Sequence, residues 1–393
     1  MPTWPAVAYE PRPWQRSGDE VASRRALRAA HGDYEAAVPP LIADAAVELA
    51  AETLAIADDA SAELARFDAE SGVIAAPFAS ILLRTESASS SEIEHVTASA
   101  KQLALAELGR SRSPNARLVV ANVTAMQAAL DLADRIDEAS ILAMQDALLR
   151  ESAPGYVGAW RSEQVWVGGG GISPHAASFV PPHHDRVPAL MADLVEFARR
   201  TDIPVLAHAA IAHAQFETIH PFPDGNGRTG RALLHSMLRH HRLTRNVTVP
   251  VSAGLLADTD AYFRALTEYR RGRPDAIVIA VAEASFAAVR NGRTLVEELR
   301  AIAEGWDTKV TARSHSSVHR AMRFLLQQPV VNTRTLAASL DVSAVAAQAA
   351  IDRLVDVGVL TQISAGNRNR IWQATDVLDA LDAFGARARR RHG

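Results

Sequence analysis

His220-Pro-Phe-Pro-Asp-Gly-Asn-Gly-Arg-Thr-Gly-Arg231 is the most informative stretch in this chain of 393 residues. A helical pattern ends at about His220, because Pro221 and Pro223 cannot continue a helix. Two glycines then allow unusual backbone angles and let the backbone approach a ligand closely. Helical periodicity resumes at about Arg228. The stretch therefore predicts a glycine-rich loop between two helices.

The residue types in this loop favour phosphate chemistry. Backbone N–H groups at the start of a helix bind anions, and Arg228 and Arg231 lie three residues apart on one side of that turn. Two cations there oppose the helix dipole, a conflict that bound phosphates would remove. Asp224 is an oxygen ligand suited to Mg²⁺, and His220 can act as a general base near neutral pH.

The same residues allow two other interpretations. The first is an ordinary helix–turn–helix corner with exposed side chains, since DGNG turns are common. The second is a dinucleotide site, because residues 225–230 match GxGxxG. That fingerprint requires a buried strand before it, and HPFPD is not a strand, so we reject a Rossmann site.

Composition excludes several classes of protein. The length predicts two or three domains, and 48% apolar and 22% charged residues are ordinary for a globular protein. The absence of cysteine excludes disulfides, thiolate metal sites and a cysteine nucleophile. The only lysines are Lys101 and Lys309, and neither lies in a GxxxxGKS/T or VAIK setting, so P-loop ATPases and protein kinases are excluded.

The sequence also favours a cytoplasmic protein with no membrane partner. The first twenty residues do not resemble a signal peptide, and no apolar run approaches the roughly 18 residues of a membrane helix. The net charge of −4 is too small to indicate a partner.

The loop sequence resembles the signature of the Fic family, HPFxDGNGRxxR, and matches it at every defined position. The preceding Ala209, His213, Phe216 and Glu217 are similar to the usual lead-in of that motif. Residues 164–182, with VWVGG and FVPP, resemble the β-hairpin flap of Fic proteins. The resemblance covers roughly residues 75–290. It implies a mostly α fold, namely a Fic-fold helical core with a β-hairpin flap.

The resemblance implies a protein adenylyltransferase that moves AMP from ATP to a hydroxyl side chain of a target protein, with Mg²⁺ as cofactor. His220 would deprotonate the hydroxyl and Asp224 would hold the metal. The nucleotide would be bound by the loop and the first helical turn, that is by Asp224, Gly225, Asn226, Gly227, Arg228, Thr229, Gly230 and Arg231. A kinase-like branch of the family carries lysine at position 227, so glycine there favours nucleotidyl transfer.

Three residues outside the loop are further candidates for the nucleotide site. Val165 and Trp166 in the flap would wall the nucleotide, and the flap edge would align a target segment by strand addition. A purely structural β-ribbon is the alternative. Tyr262 occupies the place of an adenine-contacting tyrosine in the family, and a buried core tyrosine is an equal alternative.

An upstream segment is similar to the inhibitory motif of the family. In SSEIEH, residues 90–95, Ser90 and Glu94 match S/T-x-x-x-E-G/N, while His95 replaces the usual glycine or asparagine. A capping box formed by Ser91 and Glu94 at a helix start is the local alternative. Our hypothesis is that Glu94 pairs with Arg231 and keeps the enzyme mostly inactive.

We expect four consecutive domains. They are an N-terminal helical region carrying the inhibitory motif (1–114), a Fic core (115–290), a linker helix (291–313) and a winged helix-turn-helix (314–393). Residues 312–393 contain 11 arginines and 6 aspartates, so DNA contact is one option. The helix near 344–355 would read bases and residues 367–370 would form the wing. That helix offers only Gln348 and Arg353 as evident partners, so a protein-recognition role stays open.

The expected partner is an unknown target protein, or the protein itself by automodification, and a homodimer stays open. A nucleotide-sensing DNA-binding regulator is the alternative from another class. Within the enzyme class, removal of AMP or transfer of another nucleotide is also open.

Overall fold

The computed structural model describes residues 4–14, 30–72, 76–169, 172–310, 316–364, 366 and 369–390. Strands β1 and β2 span Ala8–Pro13 and Asp33–Val38. The helices that follow are α1 (Ala51–Gly72), α2 (Ala76–Ile93), α3 (Ala100–Glu107), α4 (Pro114–Asp131), α5 (Glu138–Leu149), α6 (Val187–Ala198), α7 (Val205–Ile219), α8 (Asn226–His240), α9 (Val251–Leu256), α10 (Thr259–Arg270) and α11 (Asp275–Lys309). The mostly α architecture expected from the sequence is confirmed.

The C-terminal part continues in the order helix, strand, helix, helix, strand, strand, helix. Its elements are α12 (Ser317–Gln327), β3 (Val330–Val331), α13 (Thr333–Leu340), α14 (Ala344–Asp356), β4 (Thr361–Gln362), β5 (Trp372–Gln373) and α15 (Thr375–Ala388). The three short strands form one antiparallel sheet in the order β3–β5–β4. This is the element order expected of a winged helix-turn-helix.

The chain forms two compact units, and each unit contains three separate segments of the sequence. The first contains residues 1–61, 125–243 and 260–282, and the second contains residues 62–124, 244–259 and 283–393. The four consecutive domains stay a prediction. Helix α11 runs without a break through position 290, where we expected the Fic core to end.

In the first unit, α7 is the central helix. Every side chain from Leu206 to Ile219 is buried, including five polar or charged ones. A helix that is enclosed on all sides loses the polar face that a surface helix keeps. Helix α7 packs against α6 on one side and α8 on the other. The loop at 220–225 therefore joins two helices that pack directly on each other.

Residues 33–38 correct one local expectation. The alanine-rich sequence from Tyr34 onward favours helix, but Asp33–Val38 forms an antiparallel ribbon with Ala8–Pro13. Tyr34 and Ala36 are buried while their neighbours Asp33 and Glu35 are exposed, which is the alternation of a strand. Pro39 and Pro40 follow, and helix α1 begins only at Ala51.

The flap contains less regular strand than the sequence indicates. Among the described flap residues, the antiparallel pairing is a single bridge between Val167 and Phe179, and residues 174–176 form a 3-10 turn. Gly169 has φ +81°, and a Cβ there would lie 2.2 Å from the carbonyl oxygen of Ala176. The chain reverses so tightly that glycine is required at this position. Gly170 and Gly171, part of the predicted connection, lie outside the described residues.

In the second unit, buried polar contacts anchor α2. The Glu86 carboxylate is fully buried and accepts hydrogen bonds from the backbone N–H (2.8 Å) and hydroxyl of Ser252 in α9. The Asn122 amide donates to the carbonyl of Ser87 at 2.8 Å and to the hydroxyl of Ser91 at 3.1 Å. Since unsatisfied buried groups are expensive, these contacts fix the position of α2 along its axis.

The same unit has one continuous apolar core that includes side chains of α2, α11 and the C-terminal module. Its members include Trp306, Leu325, Ile351, Trp372 and Phe384, all at most 2% exposed. None of the helices within the described ranges is long and apolar enough to cross a membrane.

Candidate functional site

The loop at 220–231 begins with a left-handed residue. His220 ends α7 with φ 52° and ψ 61°, and its N–H donates to the carbonyl of Phe216 at 2.8 Å. This backbone conformation costs a non-glycine residue about 1 kcal/mol, so the surroundings must enforce it. Gly225 has φ +82°, and a Cβ there would lie 2.8 Å from a methyl of Leu148. Glycine is therefore required where α8 starts.

Asn226 closes the loop on itself. Its side-chain oxygen accepts from the N–H of Phe222 at 2.9 Å, and its side-chain nitrogen donates to the Phe222 carbonyl at 2.8 Å. Both residues are buried, Asn226 at 3% and Phe222 at 0% exposure. The Asn226 amide is therefore used within the loop, and its role toward a nucleotide stays a prediction that concerns its backbone.

The start of α8 has the features of an anion site. The N–H of Thr229 is the first to bond back along the helix, to Gly225 O at 2.9 Å, so the N–H groups before it precede any intrahelical acceptor. Arg228 is 6% exposed and Arg231 is 2% exposed. The two buried guanidinium groups thus lie within one helical turn of each other, close in sequence to the N–H groups of the helix start.

Asp224 is the exposed acid of the loop. Its Oδ1 accepts the N–H of Gly225 at 2.6 Å and lies 3.6 Å from Arg228 Nη2, and the side chain is 56% exposed. The described residues contain no group of three or more His, Asp or Glu side chains that could hold a metal by themselves. Mg²⁺ is usually bound by one or two carboxylates together with substrate phosphates, so one accessible carboxylate beside an anion site fits that ion.

Beneath the loop, His213 and Tyr262 form a buried pair. Their Nε2 and hydroxyl atoms lie 2.7 Å apart, and the two rings stack at 17°. Burial, and then the positive charge of Arg231, lower the pKa of His213 to about 3, so the ring stays neutral at physiological pH. Tyr262 is only 2% exposed, which favours the buried-core alternative, and its contact with adenine stays a prediction.

Gly230 lets α7 and α8 approach closely. A Cβ at this position would lie 2.6 Å from the Glu217 carboxylate and 2.9 Å from the ring of Phe216. Thr229 beside it is fully buried. Packing alone accounts for Gly230, and the contribution of both residues to nucleotide binding stays a prediction.

The flap residues Val165 and Trp166 are half-buried. Trp166 lies edge-on to Trp14 at 5.6 Å between ring centroids, in an apolar cluster with Tyr34, Ala36 and Val180. The flap base is thus packed on the β1–β2 ribbon. Whether these side chains also wall a nucleotide stays a prediction.

Arg161 is a site residue that the sequence analysis missed. Its guanidinium is 3% exposed and donates to four carbonyl groups, those of His220 (2.8 Å), Glu163 (2.9 Å), Ile219 (3.4 Å) and Pro182 (2.5 Å). Burial lowers its pKa to about 10. A cation at the C-terminus of α7 also complements the helix dipole. No local motif marks Arg161, because its partners are 2 to 59 residues away in sequence.

The inhibitory motif lies at the end of α2. Ser90 is fully buried in the helix, and Glu94 is exposed in the turn that follows Ile93. The capping-box alternative is excluded, because this is a helix end and the Ser91 hydroxyl donates to Ser87 O at 2.8 Å within the helix. The pairing of Glu94 with Arg231 stays a prediction.

His95 preserves the backbone of the motif despite the change of residue. It has φ +61°, the conformation that glycine and asparagine adopt readily. The N–H of Val96 donates to Ser91 O at 3.0 Å, and the N–H of His95 donates to Glu92 O at 2.9 Å. The helix therefore ends in a Schellman-type turn, which explains the usual preference for a small or polar residue there.

Comparison with known proteins agrees with this geometry. Residues 135–238, which contain the loop, match the model of the Fic/DOC family, and residues 54–131 match the model of the Fic/DOC family N-terminal region. A probable protein adenylyltransferase of Aquifex aeolicus is 48% identical over 63 residues, 16% of this chain and 20% of that protein. A protein adenylyltransferase of Caenorhabditis elegans is 33% identical over 108 residues, 27% of this chain and 20% of that protein.

The chain thus spans about a fifth of the length of these curated relatives. A crystal structure of a Fic family protein from Desulfovibrio desulfuricans has a TM-score of 0.53 and 22% identity, covering 84% of this chain and 97% of that one. That likeness concerns the fold. The two matches identify residues 54–131 and 135–238 as segments of the Fic/DOC family type, and the loop at 220–231 lies within the second of them.

Proposed function

We propose that this chain is a protein adenylyltransferase, which transfers AMP from ATP to a hydroxyl side chain of a protein and releases pyrophosphate. The observation that carries the proposal is the corner between α7 and α8. There His220 has a left-handed backbone conformation, Asn226 closes the loop through its bonds to Phe222, and two buried arginines lie close in sequence to the start of α8. Two relatives over part of the chain are named as adenylyltransferases, which supports the same activity.

Each residue has a defined task in this proposal. The imidazole of His220 accepts the proton of the attacking hydroxyl. The N–H groups at the start of α8, with Arg228 and Arg231, bind the phosphate chain and balance its charge. Asp224 is the residue that would hold Mg²⁺, which when bound neutralises phosphate charge. The hydroxyl oxygen bonds to the α-phosphorus as the bond to pyrophosphate breaks.

The neutral His213 completes the electrostatics of the site. A second positive charge close to Arg231 would make the burial of that arginine less favourable. Burial prevents it, since the pKa of His213 lies at about 3. Of His213 and Arg231, only Arg231 therefore carries a positive charge across the physiological pH range.

Radiolabelled ATP tests the activity. Substituting His220→Ala should abolish the AMP adduct on protein, detected by mass spectrometry, while calorimetry still shows ATP binding. His31→Ala removes an exposed imidazole elsewhere and should leave transfer unchanged. Retained transfer in His220→Ala would contradict the assignment of the base. An adduct other than AMP would show that a different nucleotide is transferred.

We further propose that Glu94 restrains this activity by pairing with Arg231. A Glu94 carboxylate bound to Arg231 would occupy the guanidinium that the γ-phosphate of ATP needs. ATP could then not bind in the orientation that transfer requires. Substituting Glu94→Gly should raise automodification severalfold, and Glu48→Gly, an exposed loop carboxylate, serves as the matched control. Equal rates in both variants would remove the regulatory proposal and leave the catalytic one in place.

A further inference from the structure

A cavity of about 370 Å³ in the C-terminal module is lined entirely by polar and positively charged side chains. Three arginines, Arg110, Arg334 and Arg370, surround it, and no acidic residue lines it. The remaining lining side chains are amides and a hydroxyl. The cavity lies wholly within the second compact unit.

Several arginines of this protein are paired with carboxylates. Arg84 binds the Glu107 carboxylate through two nitrogens, at 2.8 and 3.0 Å, and Arg387 binds Glu298 in the same way. Within the described parts of the chain, none of the three cavity arginines has a carboxylate within 4.0 Å or a side-chain hydrogen bond. Three uncompensated like charges around one concavity repel each other, and an anion between them removes that repulsion.

Each arginine is held in place by its own backbone element. Arg110 follows Gly109 (φ +67°) in the turn that ends α3, where its N–H donates to Leu105 O at 2.8 Å. Arg370 lies over the ring of Trp372, with the guanidinium carbon 5.1 Å from the ring centroid. The cationic side chains therefore come from separate segments but surround one cavity.

Arg334 lies in the first turn of α13, next to the helix start. The side chain of Asn332 caps this helix by accepting the N–H of Thr335 at 2.8 Å. A cation in the first turn opposes the helix dipole. A bound anion would be favoured both by the helix dipole and by the charge of Arg334. The same conflict marks the start of α8, and here it occurs at a second place in the chain.

The lining also limits the type of ligand. An adenine or another base needs an apolar or aromatic wall, and this cavity offers only polar lining side chains. The amide of Gln348 is already used, since its oxygen accepts from Thr333 at 2.7 Å and its nitrogen donates to Asp352 at 2.7 Å. Direct reading of bases by Gln348 is therefore disfavoured.

The neighbouring helix α14 does not favour base reading either. Its exposed positions include Val345, which is 80% exposed, and the acids Asp352 and Asp356. Acidic side chains repel the phosphates on either side of a groove. Helix α14 also carries the exposed Arg353, whereas the start of α13, the turn after α3 and the segment before β5 bring three arginines around one cavity.

We propose that Arg110, Arg334 and Arg370 form a phosphate-binding site that is separate from the loop at 220–231 and independent of the catalytic assignment. Phosphate oxyanions are the recognised chemistry. The favoured source is the backbone of a nucleic acid duplex, because the arginines come from three segments and Arg110 and Arg334 are exposed to solvent. Binding should therefore be independent of sequence and strongly dependent on salt.

Fluorescence anisotropy with the full chain and a labelled duplex of mixed sequence tests this proposal, at several salt concentrations and without ATP. The wild type should bind, and Arg334→Ala or Arg370→Ala should each weaken binding about tenfold at low salt. Each variant should also lower the slope of log affinity against log salt by about 1. A second duplex of unrelated sequence should give the same values.

Tripolyphosphate in place of DNA identifies the source of the phosphate. If the wild type binds tripolyphosphate more tightly than a variant lacking all three arginines, and binds no duplex, the site takes a free polyphosphate. Arg323→Ala, which removes an exposed arginine of α12 outside the cavity, is the matched control. The proposal is overturned if the triple variant and the wild type bind both probes equally, or if neither probe binds. It is also overturned if Arg323→Ala loses as much affinity as the cavity variants.

Discussion

The guanidinium of Arg161 donates a hydrogen bond to the carbonyl of His220, with 2.8 Å between Nε and O. The N–H of Arg161 also donates to Pro221 O at 2.9 Å. One buried side chain thus holds the strained residue at the end of α7 while other nitrogens of the same group hold the flap base at Glu163 and Pro182. Arg161 therefore links the orientation of the proposed base to the position of the flap.

Substituting Arg161→Ala should lower AMP transfer at least tenfold and the free energy of unfolding by about 3 kcal/mol, because four carbonyls, two of them in buried contacts, lose a charged donor. Since Arg161 acts through His220, the loss should fall on kcat more than on KM for ATP. Arg161→Lys retains the charge but not the planar array of donors, and should recover stability better than activity.

A purely structural role for Arg161 would give a different result. Transfer would then be restored in proportion to stability in Arg161→Lys. Arg199→Ala removes a solvent-exposed arginine paired with Glu196 and should change neither kcat nor stability by a measurable amount.

Substituting Gly230→Ala should destabilise the protein by about 1–3 kcal/mol, because the new methyl meets the Glu217 carboxylate and the Phe216 ring. Gly305→Ala is the matched control, since it lies in α11 with open space around its Cβ position. That change should stabilise the helix by roughly 0.5–1 kcal/mol. Thermal unfolding of both variants checks the pair, and equal shifts in Tm would contradict the close approach of α7 and α8.

The stability should fall as the pH is lowered from about 6.5 toward 4. Burial lowers the pKa of His208 to about 4 and that of His213 to about 3, whereas both histidines titrate near 6.5 in the unfolded chain. The unfolded chain then binds more protons in this window, so each histidine removes at most about 1.4 kcal/mol per pH unit. Above pH 6.5 this contribution to stability is complete.

Tm values at a series of pH values measure that slope. His208→Phe removes one titrating ring that packs against Phe197, so the variant should show a shallower dependence on pH, whatever its Tm at neutral pH. An unchanged slope would show that His208 is not a source of the pH dependence.

The pair of Arg389 and Glu92 should influence the proposed inhibition. Glu92 lies two residues before Glu94. Arg389 donates to the Glu92 carboxylate, with 3.0 Å between Nη2 and Oε2. The Arg389 side chain is 51% exposed, so the pair contributes little to global stability. Substituting Arg389→Glu should nevertheless raise basal AMP transfer severalfold, because like charges then separate α15 from the end of α2.

The exchanged double variant Arg389→Glu with Glu92→Arg restores opposite charges and should return transfer to the basal rate. Arg390→Glu changes the same charge at the next position and should have no effect. If the double variant stays as active as Arg389→Glu alone, the ion pair does not restrain α2.

Local sequence was sufficient where the chemistry is local. Two prolines, two glycines and Asn226 within seven residues indicated a helix end, a loop and a new helix, and the structure has α7, the loop and α8 at those places. The order of elements from α12 to β5 agrees with the expected winged helix-turn-helix, whereas the terminal helix α15 was not predicted. The ribbon at 33–38 was missed because alanine-rich composition outweighed an alternation of only four residues, 33–36.

Residue spacing could not predict contacts between residues that are distant in sequence. Nothing near Arg161 in sequence indicates four carbonyl acceptors, and nothing near Tyr262 indicates a bond to His213, 49 residues away. The cavity arginines are a further case, since 224 residues separate Arg110 from Arg334.

By itself, the sequence determined where the helices on either side of the loop at 220–225 stop and start and which segment is the candidate for phosphate chemistry, because proline, glycine and charged residues act on their immediate neighbours. Only the tertiary structure decided which side chains are buried, which pKa values shift and which distant groups meet. Those properties depend on the exclusion of water by packed helices, and no single segment contains that information.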